Sequence, residues 1–347
     1  IKMSVSNVQN LLKCVFIKKS LNLFYSVPKR TLNGIVQQQT KFQQDYANRQ
    51  PGITNSSERK DDSHNRNYLM LGASIFTWLG FSSEVEEEDE MIMVIKRSIL
   101  CIQREELDKA EQMLHVALRM AQQKQNTLGV TYIHDIMANL ALDQGQLDKA
   151  EKLFVSVMQQ LLQQGTSQDD LKMLHISLKL ARIYYLRKEL DKAELGFEWA
   201  LKGLSKHVAS LQEANNDVLG LWGMARYWFA HFQIEKGNYQ EANEHLLAAY
   251  NTYVTIYGTD TEQAAVLLND LGAVNSQTGN LKDAEHYLKS AAKLSMKLPE
   301  MEEIGSIYAN LGIVFMKQGL LDEAKSACGK AWKLGNGNKN QEIESQA

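Results

Sequence analysis

Histidine and cysteine are the residues in this sequence that most directly suggest chemistry, because both ligate metals and both take part in catalysis. The chain contains eight histidines and three cysteines. They fit neither an HExxH motif, which places two ligating histidines on one face of a helix, nor a CxxC pair. The GxxxxGK[ST] and GxGxxG phosphate-binding loops and the GxSxG nucleophile elbow do not occur either. The sequence therefore predicts a protein that is not an enzyme, with no cofactor, no metal site and no catalytic residues.

Two cysteines and a group of aromatic residues have positions typical of a helical core. Cys101 and Cys328 fall on apolar positions of the repeats described below, and we expect both to be buried as small hydrophobic residues. Cys14 lies apart from them, so the three thiols form no disulfide framework. Four aromatic residues also recur at helical spacing: Trp222, Tyr227, Trp228 and Phe229. We expect them in the core of a helix pair; a peptide-binding face is the alternative.

The charge distribution disfavours nucleic acid as a partner and separates the N-terminal segment from the body. The chain has 347 residues, of which 44% are hydrophobic and 23% charged, as in ordinary soluble domains. Residues 1–44 hold seven of the 38 basic residues and no acidic residue, which leaves 31 basic against 41 acidic residues in the remainder. Phosphate recognition needs clustered Lys and Arg, so no nucleic-acid partner is expected. A small-molecule substrate is not expected either.

Residues 1–44 have the composition of a mitochondrial targeting segment. Val8, Leu11, Leu12, Val15 and Phe16 recur at the spacing of one helical face, and lysines flank them. An amphipathic, basic and acid-poor N-terminus is typical of proteins imported into mitochondria; a basic tail without regular structure is the alternative. Residues 45–68 are polar, with Pro, Gly, Ser and Asn, and are predicted to be a linker.

A short apolar segment and an acidic run precede the periodic part of the chain. Residues 69–81 read LMLGASIFTWLGF, and residues 69–82 are a membrane-anchor candidate. These thirteen residues are fewer than the roughly 20 that a spanning helix needs. Three interpretations stay open: a short span, an interfacial anchor, or a segment packed on the first repeat. Residues 84–90 then contain six acidic side chains, which suit the positive end of a helix dipole.

One phrase recurs six times within residues 83–335. ELDKAEQML at 106–114, QLDKAEKLF at 146–154 and ELDKAELGF at 189–197 are followed by weaker copies that begin at 238, 280 and 320. The alanine in each phrase marks the register: Ala110, Ala150, Ala193, Ala242, Ala284 and Ala324. Each phrase is predicted to begin a helix, and in five of the six a second apolar pattern of helical period precedes it. The repeating unit is therefore a pair of helices.

Small residues stand at fixed distances before each marker alanine. Five residues before it, where a glycine ends a helix in the left-handed conformation, are Gly145, Gly237, Gly279 and Gly319. Twelve residues before it, where the two helices of a pair should cross, are Ala138, Ala181, Ala230, Gly272 and Gly312. The first pair has Ser98 and Glu105 at these positions, as expected of an atypical terminal repeat.

These offsets predict an all-α fold, a tetratricopeptide-repeat superhelical solenoid of about six helix pairs. A disordered N-terminal segment is expected before it, and a polar tail at residues 336–347 after it. The marker alanines are 40 to 49 residues apart, which exceeds the 34 residues of the standard repeat. Either the helices are longer than standard or the connections carry insertions, for which residues 163–170 and 207–218 are the expected places.

The first helix of each pair is expected to line the groove in which tetratricopeptide arrays hold protein segments. Positions fifteen and eleven residues before the marker alanine give the predicted protein-binding residues: Asp135, Asn139, Arg182, Tyr227, His231 and Asn269. Leu178 and Ala273 occupy the same positions in their repeats. No repeat offers the paired Lys and Asn of a clamp for a C-terminal carboxylate, so a folded or internal protein segment is the expected ligand.

Several segments together resemble a known family. FTWLGF followed by EEEDE, then VIKRSIL, MANLALDQGQLDKAEKLF and ISLKLARIYY, is similar to the mitochondrial tetratricopeptide repeat protein 19 family. The similarity runs from about residue 76 to 335 and is strongest over 76–201. The DKAE phrase is generic to such repeats, whereas the FTWLGF–EEEDE junction together with MANLA is much more specific.

The resemblance implies a protein of the inner mitochondrial membrane that binds respiratory complex III, the ubiquinol–cytochrome c reductase. It also implies a role in assembly of that complex and in clearance of fragments of its Rieske iron–sulfur subunit. No catalytic residues are implied. A cytosolic tetratricopeptide cargo adaptor or a co-chaperone-like scaffold is the alternative. An adaptor of the kinesin light-chain type would carry an N-terminal heptad coiled coil, and residues 1–80 show no heptads.

Overall fold

The structure is a computed structural model, and it describes residues 90–211, 215–298, 301 and 303–344, with side chains as far as Leu334. The predicted targeting segment at 1–44, the linker at 45–68 and the anchor candidate at 69–82 lie outside the described residues, so these three stay predictions.

The described residues form twelve α-helices and no strand. They are α1 Glu90–Gln103, α2 Leu107–Gln123, α3 Thr127–Asp143, α4 Leu147–Gln163, α5 Leu171–Leu186, α6 Leu190–Ala209, α7 Asn216–Lys236, α8 Tyr239–Tyr257, α9 Glu262–Thr278, α10 Leu281–Ser295, α11 Ile304–Gln318 and α12 Leu321–Glu344. Every even-numbered helix begins at the repeated phrase and carries its marker alanine. The all-α fold of six tetratricopeptide-type helix pairs is thus confirmed.

The chain divides into two compact units, and the division falls at Val157 and Met158, inside α4. In unit 1, α1 packs on α2, and α2 packs on α3. In unit 2, each helix from α5 to α12 packs on the next one, and the first helices α5 and α7, and α9 and α11, also touch each other. A second helix is therefore covered by its own partner and by the first helix of the following pair.

Most of the first helices have an N-terminal cap formed by a side chain. The side-chain oxygens of Asn126, Asp170, Asn215 and Thr261 accept hydrogen bonds from backbone N–H groups in the first turns of α3, α5, α7 and α9. Such caps satisfy donors that no carbonyl of the helix can reach, and each typically contributes about 1 kcal/mol. The second helices α2, α6, α8 and α10 have no such cap and instead carry an acidic residue in the first turn, which favours their positive ends.

The turn within each pair has the left-handed residue that the glycine pattern predicts. Gly145, Gly237, Gly279 and Gly319 have φ angles of 71°, 82°, 85° and 81°. Glu105 and Lys188 stand at the same position in the first and third pairs and adopt φ angles of 60° and 64°. A side chain there costs about 1 kcal/mol or more. The turn is therefore fixed by the packing of the two helices, which holds the backbone even where glycine is absent.

Small residues at the crossing let the two helices of a pair touch. A Cβ atom added to Gly272 would collide with the side chain of Leu288 and lie 3.1 Å from the carbonyl oxygen of Ala284. At Gly312 it would lie 2.5 Å from Sγ of Cys328. In α6, a Cβ on Gly196 would lie 2.8 Å from the Cβ of Ala181. The predicted crossing residues therefore mark the closest approach of the helices in unit 2.

The marker alanine and the residue four positions after it form the centre of each pair. Ala110, Ala150, Ala193, Ala242 and Ala284 are fully buried, and Ala324 nearly so. The residues four positions later in the first five pairs are also fully buried: Leu114, Phe154, Phe197, Leu246 and Leu288. Removing such a side chain from water typically contributes about 1.5–3 kcal/mol.

The prediction that both repeat cysteines are buried is correct for Cys101 and wrong for Cys328. Cys101 lies in the core of unit 1, whereas Cys328 is exposed. Cys328 occupies the same position as Leu288 in the preceding pair. It is exposed because no helix follows α12 within the described residues to cover that side.

Two stretches expected to be insertions differ in form. Residues 164–170 join α4 to α5 as a connection, as the sequence predicts. Half of 207–218 is instead helical, since α6 runs to Ala209 and α7 begins at Asn216. Longer helices therefore account for much of the wide repeat spacing there. α12 also continues through Glu344, past residue 335, where the repeat array was expected to end.

We expect Gly272→Leu and Ala181→Leu each to lower the free energy of unfolding by about 1–3 kcal/mol or more, because the added atoms overpack a crossing that has no free space. Urea denaturation followed by circular dichroism measures the effect. Gly329→Leu is the matched control, since nothing lies within 4 Å of a Cβ at that helical position. Unchanged stability in both crossing variants would show that the assigned register is wrong.

Candidate protein-binding surface on the first helices

In unit 2, polar side chains connect the successive first helices α5, α7, α9 and α11. Three contacts form this inner-helix ladder. The guanidinium carbon of Arg182 lies 4.7 Å from the ring centre of Trp228. The Tyr227 hydroxyl donates to Oδ2 of Asp270 at 3.2 Å, and Nδ2 of Asn310 donates to Oδ1 of Asn269 at 2.9 Å. The ladder therefore fixes the lateral position of each first helix against the next one.

Asp270 is the ladder residue whose burial costs the most free energy, because its carboxylate has little contact with water. Its side chain is 4% exposed, and a buried carboxylate is costly unless donors or cations surround it. The Tyr227 hydroxyl supplies a hydrogen bond, and Nε2 of His231 lies 3.3 Å from Oδ2. The rings of Tyr227 and His231 meet edge to face at 4.5 Å. Tyr227, His231 and Asp270 therefore form one unit across α7 and α9.

The environment of Tyr227 keeps its hydroxyl protonated. Burial raises the pKa of Tyr227 well above its ordinary value, and the negative charge of Asp270 and the hydrogen bond to it raise the pKa further. The nearby Arg182 opposes this shift only in part. The hydroxyl is thus a permanent donor to Asp270 at physiological pH.

Further contacts tie α11 to α9 and α9 to α8. Nζ of Lys317 donates to the backbone oxygen of Ser276 at 2.6 Å and to its hydroxyl at 3.1 Å. Nδ2 of Asn275 donates to Oδ1 of Asn243 at 2.8 Å. Ser276 and Asn275 are both buried, so these bonds satisfy groups that water cannot reach.

In unit 1, the predicted residues Asp135 and Asn139 contact each other along α3. Nδ2 of Asn139 donates to the backbone oxygen of Asp135 at 2.6 Å and lies 3.3 Å from its Oδ2. Both side chains are half-buried. Asp135 also affects Tyr132, whose pKa is raised first by burial and then by the Asp135 charge. The pair leaves one polar edge of α3 open to solvent.

Of the predicted protein-binding residues in unit 2, His231 is half-buried, whereas Arg182, Tyr227 and Asn269 are buried within the ladder. The aromatic cluster is likewise mostly core: Tyr227, Trp228 and Phe229 are buried, and Trp222 is half-buried beneath Arg226. The structure therefore brings Tyr227 and His231 together, sets Asn269 beside Asp270, and gives the buried residues contacts inside the protein.

Sequence reasoning missed the column that lies fourteen residues before the marker alanine. It contains Lys179, Trp228, Asp270 and Asn310, all of them buried. The signal was present in the sequence, because each is a polar or large aromatic residue on a helix whose neighbouring positions are apolar. Each ladder contact joins a residue of this column to a predicted residue of the preceding first helix: Trp228 to Arg182, Asp270 to Tyr227, and Asn310 to Asn269.

The accessible part of the first helices in unit 2 is a mixed surface. His231, Ala273 and Ile313, all eleven residues before their marker alanines, are half-buried, and Gln277 and Met316 are exposed. Apolar and polar side chains held on rigid helices suit contact with a protein surface. We call these five residues the open row.

Two other kinds of site, a metal centre and a membrane-spanning helix, were considered for the described residues. No three His, Cys, Asp or Glu side chains among them come together as metal ligands would. Within the same residues, none of the helices has both the length and the apolar character needed to cross a bilayer.

Two crystal structures share this fold. BtubC from P. vanneervenii superposes with a TM-score of 0.55 and 18% identity, over 73% of this chain and 93% of that chain. The apo form of RapI superposes with a TM-score of 0.57 and 13% identity, over 77% of this chain and 70% of that chain. At such identities the likeness concerns the fold alone.

Relatives at higher identity define the family. Residues 223–297 match the family model of the tetratricopeptide repeat. The mitochondrial tetratricopeptide repeat protein 19 homolog of Drosophila melanogaster is 40% identical over 282 residues, which are 81% of this chain and 76% of that protein. The mitochondrial tetratricopeptide repeat protein 19 of Homo sapiens is 32% identical over 257 residues, 72% of this chain and 67% of that protein. The chain therefore belongs to the mitochondrial tetratricopeptide repeat protein 19 family.

Proposed function

We propose that this chain is a non-catalytic scaffold of the mitochondrial inner membrane that binds respiratory complex III, the ubiquinol–cytochrome c reductase. In this proposal it supports assembly of the complex and maintenance of the Rieske iron–sulfur subunit, including clearance of its fragments. The observation that carries the proposal is membership of the tetratricopeptide repeat protein 19 family, with 40% identity to the fly relative over 81% of the chain.

The architecture supports a binding role. Tetratricopeptide repeats typically act as protein-binding scaffolds whose stacked units create extended surfaces. The inner-helix ladder holds the first helices of unit 2 in fixed positions, so the open row is organised before a partner arrives. Preorganisation of this kind lowers the entropy lost on binding.

We assign different roles to the predicted groove residues. Asp135, Asn139 and His231 are half-buried and can contact a partner directly. Arg182, Tyr227 and Asn269 are buried, and they act by holding the helices that present those side chains. The acidic body, with 41 acidic residues against 31 basic ones outside residues 1–44, favours basic patches on the partner.

Three features support a mitochondrial location at the inner membrane. Residues 1–44 are basic and amphipathic, as a targeting segment would be. The relatives from fly and human are both named mitochondrial. Residues 69–82 supply an apolar segment that can attach the repeats to the bilayer.

For the partner, we expect the double variant Asn139→Ala/His231→Ala to bind purified complex III about tenfold more weakly or worse, which corresponds to about 1.4 kcal/mol. The change removes polar side chains from the half-buried edges of α3 and α7. Binding of the chain to immobilised complex III measures the loss. Because His231 also lies beside Asp270, thermal unfolding followed by circular dichroism must show that the variant keeps the stability of the unchanged chain.

The matched control for this experiment is Leu195→Ala, because Leu195 is 69% exposed on the second helix α6, away from the first helices. It should bind like the unchanged chain. If the double variant also binds like the unchanged chain, the contact does not involve these first helices. If the unchanged chain does not bind complex III, the proposed partner is wrong.

For the location, we expect residues 1–44 fused to a fluorescent protein to enter mitochondria. The reason is that the membrane potential draws a basic amphipathic helix inward. Fluorescence microscopy and protease protection of isolated mitochondria measure import. Replacing Lys13, Lys18 and Lys19 with Glu should abolish it, since the apolar face stays while the charge is reversed. A cytosolic distribution of the unchanged fusion would refute the assignment.

A further inference from the structure

The last second helix, α12, carries large apolar side chains that are open to water. Leu321 is 71% exposed and Trp332 is 69% exposed. They lie three residues before and eight residues after the marker alanine Ala324. The residues three before the marker in the first five pairs are all half-buried: Leu107, Leu147, Leu190, Tyr239 and Leu281. Those eight after it, Leu118, Met158, Leu201, Tyr250 and Ala292, are half-buried or buried.

The difference arises because a second helix is normally covered by the following pair. In unit 2, α8 packs on α9 and α10 packs on α11. α12 has no following helix among the described residues, yet it keeps the apolar residues of a covered helix. An exposed Trp and Leu in this place indicate a surface that another molecule covers.

The exposed side chains of α12 form a stripe with charges along one side. Leu321, Lys325, Cys328 and Trp332 recur at intervals of four, three and four residues, so they share one face of the helix, with Cys328 at its edge toward Gly312 of α11. We call this face the terminal stripe. Asp322 and Lys333, both exposed, each follow one end residue of the stripe, Leu321 and Trp332, by one position and so lie on the same flank. The flank is therefore negative at the start of the helix and positive three turns later.

We propose that the terminal stripe is a homodimer interface, in which the α12 helices of two copies pack antiparallel about a two-fold axis. In this arrangement Leu321 of one copy packs against Trp332 of the other, and the reverse contact follows from symmetry. The same register leaves Asp322 two residues away from Lys333 of the other copy, about 3 Å along the helix and within reach of a lysine side chain. One register thus satisfies the apolar and the charged residues together.

A second copy fits this surface because the stripe is complementary to its own reverse. One end has the smaller apolar Leu321 next to the acidic Asp322, and the other end has the larger Trp332 next to the basic Lys333. In the antiparallel arrangement the two unlike ends meet. Lys325, in the middle, can keep its ammonium in water while its aliphatic stem covers apolar surface. This inference does not depend on the proposed binding to complex III. It adds a partner contact at the end of unit 2, apart from the open row.

Sedimentation of the purified full-length chain across a concentration series tests the interface. The unchanged chain should approach the mass of a dimer as concentration rises. Leu321→Glu and Trp332→Glu should each weaken dimerisation at least about tenfold, since both remove an apolar anchor and add a charge. Leu195→Glu, equally exposed at 69% on α6, is the control and should dimerise like the unchanged chain. These sites are exposed, so all three variants should melt at the temperature of the unchanged chain when the concentration is low enough for the chain to be monomeric.

Charge reversal tests the antiparallel register. Asp322→Lys and Lys333→Asp should each weaken the dimer about three- to tenfold, because each creates two like-charged contacts. The chain that carries both changes should regain the affinity of the unchanged chain. A double variant weaker than both single variants would contradict the antiparallel arrangement.

Cys328 provides a direct distance test, because the two copies of this residue are offset by only three residues, about 4.5 Å of helical rise. A short bismaleimide, which adds to two thiols without oxidation, should join the two chains. The product should disappear in Cys328→Ser and persist in Cys14→Ser. A monomeric unchanged chain at every concentration, or a dimer unaffected by Leu321→Glu and Trp332→Glu, would overturn the proposal.

Discussion

Close contact between the two helices of a pair is the constraint on which the rest of the structure depends. Where Gly272 meets Leu288 and Ala284, there is no room for even one methyl group. That contact sets the distance between α9 and α10, and the tight turn at Gly279 follows from it. With the pair fixed, the polar face of α9 meets α7 and α11 at hydrogen-bonding distance. The packing of small residues therefore determines where Asp270 and Asn269 lie.

The inner-helix ladder follows from this packing and carries its own cost. A buried Asp270 with one hydrogen bond from Tyr227 and a neighbouring His231 is not an efficient way to gain stability, because desolvation offsets much of the attraction. An apolar contact in its place would stabilise the packing of α7 on α9 equally well. A directional hydrogen bond also specifies the register of α7 against α9, because the hydroxyl and the carboxylate must be aligned for the bond to form. We interpret the ladder as the device that aligns successive first helices and hence the open row.

The sequence was sufficient to predict the helix pairs and the crossing residues, because spacing and residue size are local properties. It also predicted the left-handed turns wherever glycine occurs. It could not show that Glu105 and Lys188 would adopt the same geometry, which the paired helices impose on them. The groove residues were harder still. The sequence position predicts which face of the first helix a side chain occupies. Whether that side chain is covered depends on the neighbouring helix, which buries Arg182 and Tyr227 and leaves His231 half-buried.

The two ends of a repeat array pose the same physical problem, because each leaves a helix with one side uncovered. At the end of unit 2, Leu321 and Trp332 are exposed, although the same positions of the preceding pairs are half-buried or buried. Trp332 is 69% exposed there, and a large aromatic side chain of this kind is typical of surfaces that proteins bury on contact. A dimer formed through α12 would also present two copies of the open row at once. Two linked sites hold a partner with two equivalent binding surfaces more tightly than either site alone, provided that the spacing allows both to engage.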